Sequence, residues 1–196
     1  MGNSRAYPVF RTADAVEAWT QALRLNALLE ERDDEVTLMA ELVTVEEVRR
    51  MAAVLPRAEF SHHRARVDPY AREFAHLGLD IVTMQDALLE PELPVSTLHY
   101  VLPGSVEDEF VRALGRGFAS IGLAGRWPDG AETDSRGVAA YDGVEVAFNG
   151  DDRYGSTPAD RHTVFVHVDK WGDLARAEKL AAFLGGTVLG DDQQGW

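Results

Sequence analysis

The sequence predicts a mixed α/β protein, α+β in character, and three observations carry that expectation. His162-Thr-Val-Phe-Val-His-Val-Asp169 alternates, with Val164, Val166 and Val168 on one face, the period of a β-strand. Directly after it, Leu174, Ala177, Ala181 and Leu184 recur at helical spacing, and Gly185-Gly186 offers a left-handed stop. Nearer the start, Thr44-Val-Glu-Glu47 is a capping box, in which the Thr44 hydroxyl and the Glu47 carboxylate satisfy each other's backbone amides.

The first half reads β-α-β-α followed by an irregular helical segment. Tyr7-Pro-Val-Phe10 is a short strand that Pro8 keeps near a sheet edge. A helix capped by Thr12 runs to about Arg32, with Val16, Trp19, Leu23 and Ala27 inward, and Asp33-Asp-Glu35 breaks it. A strand over 36–43 leads into the Thr44 helix, whose inward residues are Val45, Val48, Met51 or Ala52, and Leu55, with Pro56 as its end. Beyond it the pattern weakens: a strand within 58–66, a helix opened by Asp68-Pro69, a short strand at 79–83 and a helical turn at 84–89. Glu90-Pro-Glu-Leu-Pro94 reads as an extended, stiff linker.

In the second half, Ser96–Leu102 is a strand stopped by Pro103-Gly104. Ser105 caps a helix with Glu107, Asp108 and Glu109 at its positive end, and Val106, Phe110, Leu114, Gly117 or Phe118, and Ile121 line one face. After a polar loop over 125–137, Asp142-Gly143 between two apolar runs predicts a tight hairpin of 138–141 with 144–148. The strand 162–169, the helix 174–184 and a closing strand at Thr187–Leu189 complete the order β-α-β-β-β-α-β. That order resembles a ferredoxin-like split β-α-β with an added strand, in element order alone. The chain divides into an N-terminal α/β subdomain, 1–94, and a ferredoxin-like subdomain, 95–196, unless the two form one continuous domain.

Composition narrows the function. The formal charge is −14 and only two lysines occur, so phosphate backbones and anionic lipid surfaces repel this chain, and neither nucleic acid nor membrane is an expected partner. Cysteine is absent, which removes disulfides, thiolate metal sites and cysteine nucleophiles. The first residues lack the apolar core of a signal peptide, and no run of about 18 apolar residues exists, so a cytoplasmic setting is expected.

Motifs for catalysis are few. Gly115–Gly122 fails as a phosphate loop because the glycines fall late in a predicted helix, where close packing on a sheet explains them. His62 and His63 are adjacent and point apart in a strand, while His162 and His167, five apart, face opposite ways. Tyr100, Tyr141, Phe148 and Phe165 fall in strands and are expected in the core. The one metal or acid–base constellation is His167 with Asp169, on the strand face shared with Phe165, with Asp151-Asp152 and Asp191-Asp192 as further carboxylates at nearby strand ends. No cofactor is implied.

The leading expectation is a small acidic binding module that neutralises or regulates a basic protein partner, in concrete form an immunity protein or antitoxin against a toxin such as a nuclease. The residues put forward for partner binding are Asp151, Asp152, Tyr154, Trp171, Asp191 and Asp192. Alternatives are a metal-dependent hydrolase or small-molecule transferase built on His167, and a ligand-binding sensor domain.

Overall fold

A computed structural model describes residues 4–62, 78–81, 83–130, 136–169 and 174–196. The helix opened by Asp68-Pro69 lies outside the described residues, and so, separately, do His63 and Trp171. The described strands are β1 (Ser4–Thr12), β2 (Glu31–Leu42), β3 (Phe60–His62), β4 (Gly78–Leu79), β5 (Val95–Val101), β6 (Ala119–Arg126), β7 (Gly143–Phe148), β8 (His162–Asp169) and β9 (Gln193–Gln194). They form one sheet in the order β4-β3-β5-β2-β6-β7-β8-β1-β9, antiparallel at every pairing. The helices are α1 (Ala15–Asn26), α2 (Val45–Val54), α3 (Asp86–Leu89), α4 (Glu107–Arg112) and α5 (Leu174–Phe183). The mixed α/β class is therefore as expected.

From residue 95 the strands are β5, β6, β7, β8 and β9, so the expected strands at 138–141 and 187–189 are replaced by 119–126 and 193–194, and the sheet is not a ferredoxin-like sheet of the second half alone. β2 inserts between β5 and β6, and β1 lies between β8 and β9, so strands from either side of residue 94 interleave. β1 and β2 run parallel, with β8, β7 and β6 between them, and α1 bridges the gap.

Period-two alternation divides the sheet into two unlike faces. On one, Val36, Leu38, Ala40 and Leu42 of β2 join Ile121 and Leu123 of β6, Val144 and Val146 of β7, and Val164, Val166 and Val168 of β8. α1, α2, α4 and α5 close over that face through Trp19, Leu25, Met51, Phe110 and Leu180. On the opposite face the buried apolar cluster among the described residues is small: Ala6, Ala147 and Phe165, with Phe118 against it.

Several local expectations differ from the structure. α1 starts later, with Asp14 capping the amides of Val16 and Glu17 in place of Thr12. It buries Ala18, Trp19, Ala22 and Leu25 while Val16 and Leu23 are exposed, so the inward stripe is rotated from the one expected. The acidic run 33–35 belongs to β2, whose first five residues, 31–35, are exposed. The 90–94 linker begins as a turn of 3₁₀ helix.

The helix after residue 105 ends at Arg112, and β6 occupies much of what was expected as its continuation. The cause is steric. A Cβ at Gly117 would lie 2.1 Å from the Glu41 carbonyl oxygen, so the chain passes against the β2 backbone at a spacing only glycine allows. The 138–141/144–148 hairpin does not form either. Residues 138–142 make a turn closed by the Tyr141 and Asp142 amides on the Val138 carbonyl, and β7 pairs with β6 instead. Leu189 donates to Pro8 outside any strand, and the last strand is β9. The Thr44 capping box and the left-handed Gly185 (φ +83°) are as expected.

The asymmetry of the two faces is testable by truncation. Leu38→Ala, on the helix-covered face, is expected to cost roughly 2–5 kcal/mol in urea unfolding. Leu98→Ala, on the opposite face and 53% exposed, should cost no more than about 0.5 kcal/mol.

Candidate protein-binding face

The face without helices is covered over β7, β8 and β1 by the irregular 149–161 loop and by a strap formed by residues 192–196, which includes the edge strand β9. Both are anchored on one buried carboxylate. Glu145 is flanked in β7 by Val144 and Val146, which point into the main core, so alternation sends its side chain to the other face. There its Oε2 accepts from Arg153 Nε at 2.8 Å and from His167 Nε2 at 2.9 Å. The Arg153 guanidinium lies 4.9 Å from the Tyr154 ring centroid and donates to the Gln194 carbonyl at 2.8 Å, and Tyr154 donates to the same carbonyl.

Trp196 completes the arrangement by stacking on His167, with ring centroids 3.4 Å apart and planes 8° from parallel. Glycines make room for it. A Cβ at Gly143 would meet the Trp196 ring at 2.9 Å, and one at Gly195 would collide with Ser4.

Burial tends to raise the Glu145 pKa, but the hydrogen bond from His167 and the charge of Arg153 overcome it and hold the carboxyl below its ordinary range. Burial holds the His167 pKa below its ordinary value despite Glu145, so the imidazole is neutral. An ionised Glu145 can only accept, which places the His167 proton on Nε2 and leaves Nδ1 facing the Ser4 hydroxyl at 3.3 Å.

His167 has no exposed surface, and both ring nitrogens are engaged. Arg153 sets a fixed positive charge on the carboxylate oxygen that a cation beside His167 would need. Asp169 shares the His167 face but sits at the end of β8, opposite Ser4; burial chiefly raises the pKa of Asp142, and Asp169 is near enough to add to it. Among the described residues, no three His, Asp or Glu side chains gather where they could hold a metal ion.

The residues put forward for partner binding take different positions. Asp152 accepts from the amides of Tyr154, Ser156 and Thr157, and Asp151 pairs with Arg161 and, at 3.6 Å, with Arg11, so both carboxylates shape the 149–161 loop. Asp192 pairs with Arg5 at 2.8 Å, and Asp191 is exposed next to it. Tyr154 is exposed and lines a groove over β6, β2 and β5.

Over β6, β2 and β5 the same face has no covering segment among the described residues. A groove of about 470 Å³ lies there, floored by Ser120, Gly122 and Ala124 of β6. Met39, Leu98 and Tyr100 form one side, Arg153, Tyr154 and Trp196 the other, and Asp33 and Glu35 stand at its rim. Tyr100, expected in the core, is 55% exposed, and Leu98 and Leu102 of the same alternation are exposed with it. Asp33, Asp34 and Glu35 form no ion pair among the described residues; Asp33 accepts from the Glu35 amide. No family model matches the sequence, and no curated protein and no solved structure matches it either.

Two outcomes test this construction. Glu145→Gln leaves Arg153 without its counter-charge and is expected to cost roughly 3–5 kcal/mol in chemical unfolding. Acidification is expected to destabilise through His167: below about 6.5 the unfolded chain binds a proton that the folded imidazole resists, so stability is lost as pH falls through that value. His162, also held low by burial, acts with the same sign, whereas Asp142, pushed up to about 6 by burial, acts with the opposite sign. The contribution of His167 is therefore read as a difference: the loss in melting temperature from pH 7.5 to pH 5.5 should be smaller in His167→Gln than in the parent.

Proposed function

We propose that this chain is a small acidic protein-binding module that neutralises or regulates a basic protein partner through the helix-free face of its sheet. The observation that carries the reading is the conjunction in one groove of exposed apolar and aromatic side chains, Leu98, Tyr100 and Tyr154, with the rim carboxylates of Asp33 and Glu35. Aromatic anchors beside carboxylates suit a cationic surface, and a net charge of −14 accelerates the approach of a basic protein. The concrete form is an immunity protein or antitoxin that blocks a basic bacterial toxin such as a nuclease in the cytoplasm, with carboxylates standing where phosphates would bind. No helix among the described residues is long and apolar enough to cross a membrane. The enzymatic alternative receives less support, because the imidazole it depends on is enclosed.

Capture from host lysate at low ionic strength, followed by a salt ramp, is expected to retain one basic protein and release it at a defined salt step. The Asp33→Lys, Glu35→Lys double variant, both sites being exposed, should keep the parent melting temperature and lose that protein. Equal retention by parent and variant would remove this groove from the interface.

A further inference from the structure

We infer that the uncovered half of the groove is a seat for an arginine side chain of the basic partner, received between the Tyr100 ring and the carboxylates of Asp33 and Glu35. The inference rests on the proposed protein-binding role of this face and adds the residue type that the face selects.

The chain already holds a guanidinium of its own in the adjoining half. Arg153 is bonded to the Glu145 carboxylate, lies 4.9 Å from the Tyr154 ring centroid and 5.9 Å from that of Trp196, and reaches the Gln194 carbonyl. A carboxylate, an aromatic plate and an apolar surround are the three components of that seat. The open half presents the same three. Tyr100 stands directly opposite Thr37 in the β2–β5 pairing, so Glu35, two residues earlier on β2, is its diagonal neighbour, within reach of a long side chain. Leu98 is paired with Met39 on the same face and supplies the apolar surround.

Charge decides what fills it. Arg153 is the one cation among the described residues lining the groove, and Glu145 already neutralises it, so Asp33 and Glu35 leave this half with a net negative charge. A cation is required, and its surroundings discriminate between the two available. A guanidinium is planar, stacks on a phenol ring and offers a fork of donors to two carboxylates, whereas an ammonium is compact and more strongly hydrated.

The test uses the whole protein with its methionine methyl groups labelled with carbon-13, titrated separately with the peptide acetyl-Gly-Arg-Gly-Arg-Gly-amide and its lysine counterpart. Met39 lines the groove and reports on it, while Met51, fully buried on the inner side of α2, is the internal control. The arginine peptide should shift the Met39 resonance saturably with Met51 unmoved, and the lysine peptide should bind roughly three- to fivefold more weakly. Tyr100→Leu, which keeps an apolar side chain at an exposed position, should bring the two peptides to parity, and Glu35→Gln should weaken both. Equal binding of the two peptides by the parent, or an arginine preference that survives Tyr100→Leu, overturns the seat while leaving an acidic binding face intact. No shift at Met39 with either peptide overturns the seat together with the face.

Discussion

A carboxylate buried on a β-sheet needs compensating charge, and in this protein the Glu145 carboxylate dictates how half of the helix-free face is built. Glu145 is placed there by strand alternation alone, since its neighbours Val144 and Val146 are committed to the main core. Leaving it ionised and unpaired would cost several kcal/mol. Arg153 supplies the charge, and a loop of the length of 149–161 is what brings Arg153 back over β7. His167 supplies a neutral donor, which keeps the local charge balanced at one negative and one positive group. Trp196 then encloses the imidazole, and Gly143 and Gly195 are required because any side chain at either position would collide with the strap or with Ser4. The loop and the strap thus meet at one residue, while Gly143 is required independently by the Leu123 carbonyl, 2.4 Å from where its Cβ would lie.

That arrangement also explains where the fold was legible in the sequence and where it was not. Segments whose pattern agrees with their final environment read correctly: β8 has a clean alternation, and the Thr44 box satisfies its own backbone amides without help from elsewhere. β6 did not read as a strand because its open-face positions are Ser120, Gly122 and Ala124, small residues that accommodate a groove and the Trp196 ring and therefore carry little strand signal. The acidic start of β2 looked like a helix break because exposed carboxylates are ordinarily found in turns. The His167 face was read from spacing, but its partners were not, since Glu145, Arg153 and Trp196 approach it only through the sheet order and the return of two segments. A signal for Glu145 did exist. A lone charged residue between two valines in an apolar strand lies on the opposite face from them, and that alternation could have singled out this position.

The same logic separates two roles for negative charge. At roughly 0.1 M salt a charge is screened within about 10 Å, so most of the net −14 would act on the rate at which the proposed basic partner arrives and little on what it contacts. Contact specificity depends on carboxylates that are both near an apolar surface and not already engaged. Asp151, Asp152 and Asp192 are engaged, in the loop and in the strap. Asp33 and Glu35 stand beside Tyr100, Leu98 and Met39, where the apolar surround lowers the local dielectric constant once a partner excludes water and so strengthens each ion pair formed there. The half of the face that the chain closes on itself and the half it leaves open present the same kinds of group, a carboxylate beside an aromatic ring; in the closed half Arg153 fills the place between them.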